Sequence, residues 1–436
     1  MKIKYRIDRE IPLIQEADVV VVGGGPGGIG AAVMAARQGA RTVLVERYGF
    51  LGGMAASGEV NPFMPNHVQG RCLDKPVYTD WLAAMQPYLA PAAGPVGEDA
   101  IREAAPAARM ISKDIAMLAA EDLCLAAGVQ LLYHHTLADV SRSGRAVKHL
   151  VLHSKSGLAA VRGKVYVDAT GDGDLAALAG CAFEMGDSAG HCQPMTLCFK
   201  LSHVDVARLP DRSTINRLYD EARARGDVTC SRENVLLFNW LEPDVIHFNT
   251  TRILHKSGVS GVELSDAEIE GRRQLRQIVS FLRQRVPGFE RARLHSMGHH
   301  IGVRETRRIR GLAYLTRAAF EGRARFPDAI ARVSYPIDIH NPDGMGTTLL
   351  RLKDGEWYEI PYGCLVAQDV DNLLVGGRPI SADHAIHSSL RVMPPACSIG
   401  QAAGLAAALA AERGCGAAAL DGIEVRRRLV QQGAWL

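Results

Sequence analysis

The chain has 436 residues, room for about two or three domains by length alone. With 47% hydrophobic and 22% charged residues and no low-complexity tract, it has the composition of a globular protein, not of a disordered or fibrous one. A formal net charge of +3 gives no basis for binding nucleic acid or an anionic membrane, and no apolar run approaches the roughly 18 residues of a membrane helix. The opening stretch, Met1 to Ala17, carries charges throughout and lacks the apolar centre of a secretory signal. Nine cysteines at irregular spacings, without a Cys-x-x-Cys, argue against a disulfide framework, a zinc site or a redox-active dithiol. The expectation is a reduced, cytoplasmic protein with no metal.

Asp18 to Val22 is a β-branched apolar run suited to a strand buried on both faces of a parallel sheet. Gly23-Gly24-Gly25-Pro26-Gly27-Gly28 follows, with Gly23, Gly25 and Gly28 at G-x-G-x-x-G spacing. A helix from Ile29 to Gln38 and a second strand, Arg41 to Val45, complete the unit. The first glycine allows a tight turn, the second lets a pyrophosphate approach, and the third allows helix and strand to pack closely. The pyrophosphate then sits at a helix N-terminus, where unpaired N–H groups and the dipole favour an anion. Glu46 lies 46 − 28 = 18 residues past the last glycine, near the spacing of a carboxylate that bonds a ribose hydroxyl. These elements in register predict a dinucleotide site.

Gly52-Gly53, just past Glu46, suits a longer cofactor whose phosphate or ribityl chain runs onward. Gln86 to Met110 reads as an irregular excursion, and Ser112 to Ala127 as a helix stopped by Gly128. Val129–Tyr133, Lys148–His153 and Val161–Val167 read as strands, the last entering Asp168-Ala169-Thr170-Gly171-Asp172-Gly173-Asp174 and a helix from Leu175 to Ala179. From Phe183 to Leu365 the pattern changes. Met195–Leu201 and Val245–Thr250 look like strands of another sheet. Ser265 and Glu268 form a capping box, flanked by Leu264 and Ile269 as a staple, for a helix that stops at Pro287-Gly288. Lys353-Asp354-Gly355 predicts a hairpin between Thr347–Leu352 and Glu356–Ile360. Asn372 to Arg378 is again a buried strand entering glycines, and Gly400-Gln401-Ala402-Ala403-Gly404 starts an Ala-rich helix whose small residues would admit a flat ring.

The fold class is therefore α/β: a Rossmann-like, mostly parallel sheet, split as 1–182 and 366–436, with an inserted α+β substrate domain at 183–365. These stretches together resemble the bacterial FAD-dependent oxidoreductases, within the glutathione-reductase-like flavoprotein class. The resemblance runs through Gln193-Pro194-Met195-Thr196, Gly302 to Arg308, Tyr335 to His340, Ile360-Pro361-Tyr362, Ile380 to Asp383 and Arg391-Val392-Met393. It implies FAD, with the AMP half at Gly23–Glu46 and the flavin near Gly52–Met54 and Gly377–Gln401. The residues implicated are Gly23, Gly25, Pro26, Gly27, Gly28, Glu46, Arg47, Gly52, Gly53, Met54, Leu137, Thr170, Gly171, Asp172, Gly377, Arg378, Gln401 and Ala402.

A substrate oxidised by hydride loss needs a base for its departing proton, and often a cation to fix an oxygen. His384, His387 and Arg391 share one face if their segment is helical. His387 is the first choice as base, His384 the second, with Arg391 holding a substrate oxygen; ordinary polar packing is the alternative for each histidine. A second cluster is Arg304, Arg307, Asp338 and His340, for which a buried salt bridge from the Arg304–Arg308 stretch to Asp338 competes with substrate contact. His134-His135 and His299-His300 point to opposite faces of a strand, a poor arrangement for a metal. The expected activity is an FAD-dependent dehydrogenase or oxidase of a small polar molecule. The alternatives are a flavin monooxygenase with transient NAD(P)H and O2, and an electron-transfer subunit. The electron acceptor and the formation of a homo-oligomer stay open.

Overall fold

The computed structural model describes residues 10–89 and 110–436, so most of the excursion expected over Gln86 to Met110 lies outside the described residues. The apolar run forms β1 (Leu13–Val22), and Pro26 opens α1 (Pro26–Arg37), its fixed φ suiting the first helical position. β2 (Thr42–Val45), β3 (Gln130–Leu132), β4 (Gly157–Asp168) and β5 (Leu373–Val375) join β1 in one parallel array, ordered β3-β2-β1-β4-β5. Val20 lies opposite both Val43 and Tyr166. The sequence reading lacked the strand Thr136–Ser143, which pairs with Ala146–Ser154; that strand in turn pairs antiparallel with the first half of β4.

Both sheet faces are covered at its centre, which is why Val19–Val22, Val43–Val45, Val165–Val167 and Leu373–Val375 are buried and almost wholly apolar. Val19, Val21 and Leu44 pack under α1 and the C-terminal helix, while Val20, Val22 and Val43 face Leu150, Leu152 and Leu175. A second core runs from Met195 to Val303. Its antiparallel sheet orders Leu237–Asn239, Ile246–Phe248, Phe199–Ser202 and Arg293–Met297, with the rings of Phe199 and Phe248 stacked 4.8 Å apart. The helices Arg212–Ala224 and Gly261–Arg285 cover it. Ile330, Val333, Ile337, Tyr358 and Ile360 instead pack into the first core. The stretch expected as one insertion, 183–365, thus divides its apolar residues between two cores.

Three local expectations are corrected. The N-cap is Ser260, not Ser265: the Ser260 side chain accepts the Glu263 N–H at 3.4 Å and the helix starts at Gly261, while the Glu263 carboxylate accepts the Ser257 N–H at 2.8 Å. Two successive S-x-x-E patterns compete there, and the earlier one adds another helical turn. Glu268 instead accepts the Ile301 N–H and pairs with Arg272, while Ile269 is exposed. The hairpin at Lys353-Asp354-Gly355 does not form, because Thr347–Leu350 pairs with Ile337–His340 and Tyr358–Pro361 pairs with Ala329–Val333. The C-terminal helix begins at Met393, with prolines in its first turn, not at Gly400. It follows α2 (His384–Leu390) and is labelled α3 (Met393–Arg413). Among the described residues no single helix is long and apolar enough to cross a membrane.

The glycines of α3 serve helix packing. A Cβ on Gly400 would lie 1.9 Å from the Gly27 oxygen, and one on Gly404 would lie 2.0 Å from the Ala31 oxygen. From the other side, a Cβ on Gly30 would meet the Cys397 oxygen at 2.2 Å. Both partners at each contact are backbone, which cannot swing aside. Gly404→Val should therefore cost more than the roughly 1–3 kcal/mol of ordinary overpacking, read as a large drop in melting temperature or loss of soluble protein. Gly261→Ala, where a Cβ meets nothing within 4 Å, is the neutral control.

Asp74 is fully buried, accepting from Ser398 Oγ at 2.7 Å and Asn66 Nδ2 at 2.9 Å. Burial, against those hydrogen bonds, pushes its carboxyl up to about 7. A carboxyl raised on folding favours the folded state fully below its unfolded value near 3.8, and that stability is lost as pH rises through about 7. Asp74→Asn should raise the melting temperature at pH 7.5, by at most on the order of 4 kcal/mol in stability. The difference from wild type should shrink toward pH 4.

Candidate functional site

One cavity of about 1000 Å3 runs from the β1–α1 loop to the second core. At the first end the glycines divide their work by geometry. Gly23 has φ +101°, and a Cβ there would strike the Ala169 oxygen at 2.3 Å; a Cβ on Gly28 would strike the Gly23 oxygen at 1.7 Å. Gly25 caps α1 in extended backbone, and a Cβ there would meet only Gly53 Cα, at 3.6 Å. Of the cavity-lining glycines of the loop it is the one with no backbone crowding its Cβ position, in front of the unpaired N–H groups of α1.

Glu46 lines the cavity beside it and accepts the N–H of Gly24 at 2.6 Å and of Tyr48 at 2.8 Å. Burial raises its carboxyl above the ordinary range. Asp172 Oδ1 accepts from Arg378 Nη2 at 2.6 Å and Thr306 Oγ1 at 2.9 Å, and Arg378 Nε donates to the Gly171 oxygen at 2.7 Å. Arg378 thereby fastens the turn after β4 to the turn after β5.

Of the residues expected at the cofactor, Gly23, Gly25, Pro26, Gly27, Glu46, Arg47, Gly53, Met54, Leu137, Thr170, Gly171, Asp172, Gly377 and Arg378 line the cavity. Four do not. Gly28 lies behind the loop, and Gly52 donates its N–H to the Gly24 oxygen at 2.8 Å, shaping the loop from outside. Gln401 is turned away, its Nε2 donating to the Lys75 oxygen at 2.6 Å, and Ala402 is in the core. The reason is the earlier start of α3, which brings Val392, Met393 and Ala396 to the cavity instead.

The histidines of α2 are also placed elsewhere. His384 Nδ1 lies 2.9 Å from Glu305 Oε1 and does not line the cavity. His387 is fully buried off the cavity, its Nε2 donating to the Arg378 oxygen at 3.1 Å. Burial holds it down to about 3, so it stays neutral. A base needs access to the proton it takes; His387 has none and serves to position Arg378. Only Arg391 of that trio reaches the cavity.

The far end is made by Arg232, Asn249, Arg304, Asp338, His340, Arg351 and Arg391. Asp338 and His340 alternate along Ile337–His340, so both face the cavity, with His340 Nε2 3.9 Å from Asp338 Oδ1. Tyr335 donates to Asp338 Oδ2 at 3.1 Å. His340 Nδ1 faces Arg252 Nη2 at 3.5 Å and Thr347 Oγ1 at 3.3 Å. Arginine can only donate, so Nδ1 is the acceptor and Nε2 carries the proton. Burial first, then Arg304 and Arg391, hold His340 well below its usual range.

Arg307 turns away to Asp174, 2.8 Å, and the expected salt bridge to Asp338 does not form: Arg308 pairs with Glu305. Arg232, Asn249 and Arg351 were not singled out in the sequence. They sit in irregular or edge segments without a local pattern, and only the pairing of distant strands brings them in. His135 and His300 line the cavity, but each Nδ1 contacts a backbone oxygen. The sequence did not flag the exposed group His191, His255 and Asp343, whose potential ligand atoms lie within 4.8 Å of one another, off the cavity.

A parallel sheet with a glycine loop, an acid after the second strand and a helix N-terminus open to one cavity define a dinucleotide-dependent enzyme. The sequence matches the family described as FAD dependent oxidoreductase over residues 18–429, and the chain belongs to it. Its cofactor is FAD, and the first end of the cavity fits that group: Gly25 leaves room where a Cβ would intrude, and Glu46 is a buried carboxylate beside it.

Among curated relatives, dihydrolipoyl dehydrogenase of Trypanosoma brucei brucei is 56% identical over 45 residues, 10% of this chain and 9% of that protein. Among solved structures, a geranylgeranyl bacteriochlorophyll reductase-like protein of Thermoplasma acidophilum is 14% identical, with 96% of this chain and 84% of that one covered and a TM-score of 0.45. The p-nitrophenol 4-monooxygenase PnpA of Pseudomonas putida DLL-E4 is 12% identical, with 97% and 87% covered and a TM-score of 0.46. On the family match the expected dehydrogenase or oxidase is reduced to an FAD-dependent oxidoreductase.

Gly25→Val should fold, because its Cβ enters open space at an ordinary φ of −75°, yet lose FAD. Purified variant and wild type are compared by melting temperature and by flavin released on denaturation. Full flavin occupancy in the variant would remove the phosphates from this loop.

Proposed function

We propose that the protein is an FAD-dependent oxidoreductase of the glutathione-reductase-like class, acting on a small polar molecule bound at the Asp338–His340 end of the cavity. The observation that carries this is one continuous cavity, with the glycine loop at one end and an acid and a protonated imidazole Nε2 at the other. Bound FAD supplies the hydride acceptor. A substrate hydroxyl or amine bridging the two side chains can donate to Asp338 while accepting from His340 Nε2. Asp338 then takes the proton as the substrate is oxidised, and its carboxylate is already positioned by Tyr335.

A second reading is a flavin monooxygenase that meets NAD(P)H only transiently. It is favoured by a single glycine-loop nucleotide unit among the described residues, which leaves no separate, stably held nicotinamide domain there. The two readings differ in what reduces the flavin. Anaerobic mixing with sugars, hydroxy acids and amines bleaches the flavin in the first; NAD(P)H-dependent O2 uptake, stimulated by substrate, marks the second.

Losing a general base typically costs about 10²–10⁴-fold in rate. Asp338→Asn should slow flavin reduction by substrate to that extent while FAD content stays normal. Reduction at the wild-type rate would exclude Asp338 as the proton acceptor.

A further inference from the structure

Arginines that the fold shields from solvent, fully or in part, are as a rule ion-paired. Arg378 pairs with Asp172, Arg308 with Glu305, Arg252 with Glu233 and Arg332 with Glu359. Arg304 and Arg391 break the rule. Arg304 Nη1 donates to the Pro194 oxygen and to Thr196 Oγ1, and its Nη2 to Asn249 Oδ1 at 3.3 Å. Arg391 Nη2 donates to Gln193 Oε1 at 3.1 Å and the Asp338 carbonyl oxygen at 3.4 Å, and Arg391 Nε is buried with no partner. Every one of these acceptors is neutral, and among the described residues neither guanidinium has a carboxylate within ion-pairing distance.

Both line the cavity, with Arg232 and Arg351 beside them and Asp338 as the nearby acid. Burial first, then the Arg391 charge, lowers the Arg304 guanidinium to about 9, so the two cations repel each other across the recess. Asp338 attracts both at longer range, but a shielded guanidinium with no carboxylate paired to it still favours an entering anion. FAD's pyrophosphate is not the expected partner, because the glycine loop and the α1 N-terminus already provide for it.

We infer that the substrate is an organic anion whose carboxylate binds between Arg304 and Arg391. The planar forks of the two side chains suit a carboxylate, each offering N–H donors to a different oxygen. This rests on the proposed redox reading, since it places the anion beside Asp338 and His340. It narrows the substrate to hydroxy acids, amino acids or other carboxylic acids, at the expense of sugars and neutral alcohols.

The test is titration of the oxidised FAD-loaded enzyme with glycolate, lactate, succinate, citrate and benzoate, each against its neutral amide, followed by the flavin absorbance change. At least one carboxylate should bind, its amide at least tenfold more weakly, and added chloride should compete. Arg304→Gln and Arg391→Gln should each weaken that binding roughly 10–100-fold, with unchanged melting temperature and FAD content. Arg304→Lys covers the case in which the glutamine variant misfolds, and should recover part of the affinity.

Equal binding of acids and amides, no response to any acid, or unaltered affinity in the variants overturns the inference. Loss of FAD from folded Arg304→Gln and Arg391→Gln also overturns it, since the arginines would then serve the cofactor. Carboxylate binding without turnover by any acid refutes the redox reading alone and leaves the anion site standing.

Discussion

The site depends on a contact between backbones. Gly27 and Gly30 of α1 meet Cys397 and Gly400 of α3, and Gly404 meets Ala31, so closely that no Cβ fits on the glycine side. Gly27 also faces the Gly376 oxygen, where a Cβ would lie 2.5 Å away. The chain that forms the first loop is thus held by chain more than 340 residues further on (376 − 27 = 349). α1 can present its N-terminus to the cavity only in one orientation, and α3 sets that orientation. The parallel sheet supplies the platform: β1, β4 and β5 end side by side, so their following turns reach one cavity.

Charge is distributed along that cavity in two different ways. At the glycine loop the positive potential comes from backbone N–H groups and a helix dipole, with Glu46 held in place by two of the neighbouring N–H groups. At the far end it comes from guanidinium groups held by neutral oxygens. Backbone donors are fixed by the fold and need no ordering when a phosphate arrives. Arg304 and Arg391 at the far end are likewise held in place, but neither has a carboxylate within ion-pairing distance. Leaving their charge unpaired disfavours the ligand-free state, and an entering anion relieves it.

Legibility in the sequence followed the distance over which each feature is determined. The loop Gly23–Gly28, Pro26 and Glu46 is encoded within one βαβ unit, so spacing alone places it. The helix at Ser260–Arg285 was legible in its body, but two S-x-x-E patterns made its start ambiguous, and tertiary packing chose the first. Lys353-Asp354-Gly355 carries good local turn chemistry, yet both flanking strands pair with other partners, and those distant pairings outweigh the turn. Gly400 and Gly404 were visible as small residues; what they admit, a helix and not a ring, depends on where α3 starts. Arg232 and Arg351 had no signal, because nothing local marks a side chain whose neighbours are supplied by another sheet.

The same reasoning explains why the histidines of α2 misled. Spacings of three and four do put His384, His387 and Arg391 on one helical face, but a face is not yet a site. That face meets Glu305 and the Arg378 backbone before it meets the cavity. The imidazole of His387 is kept neutral by burial, and its donated hydrogen bond holds the Arg378 backbone. Arg378 in turn joins the β4 and β5 turns through Gly171 and Asp172. His340 is also kept neutral, but its surroundings differ in a way that matters for chemistry. Arg252 occupies its Nδ1, so its one proton is committed to the Nε2 that faces Asp338 and the cavity. A neutral imidazole whose only free atom is a donor cannot take a proton from substrate, whereas the carboxylate 3.9 Å away can. The proposed division of labour between Asp338 and His340 follows from that single arginine contact.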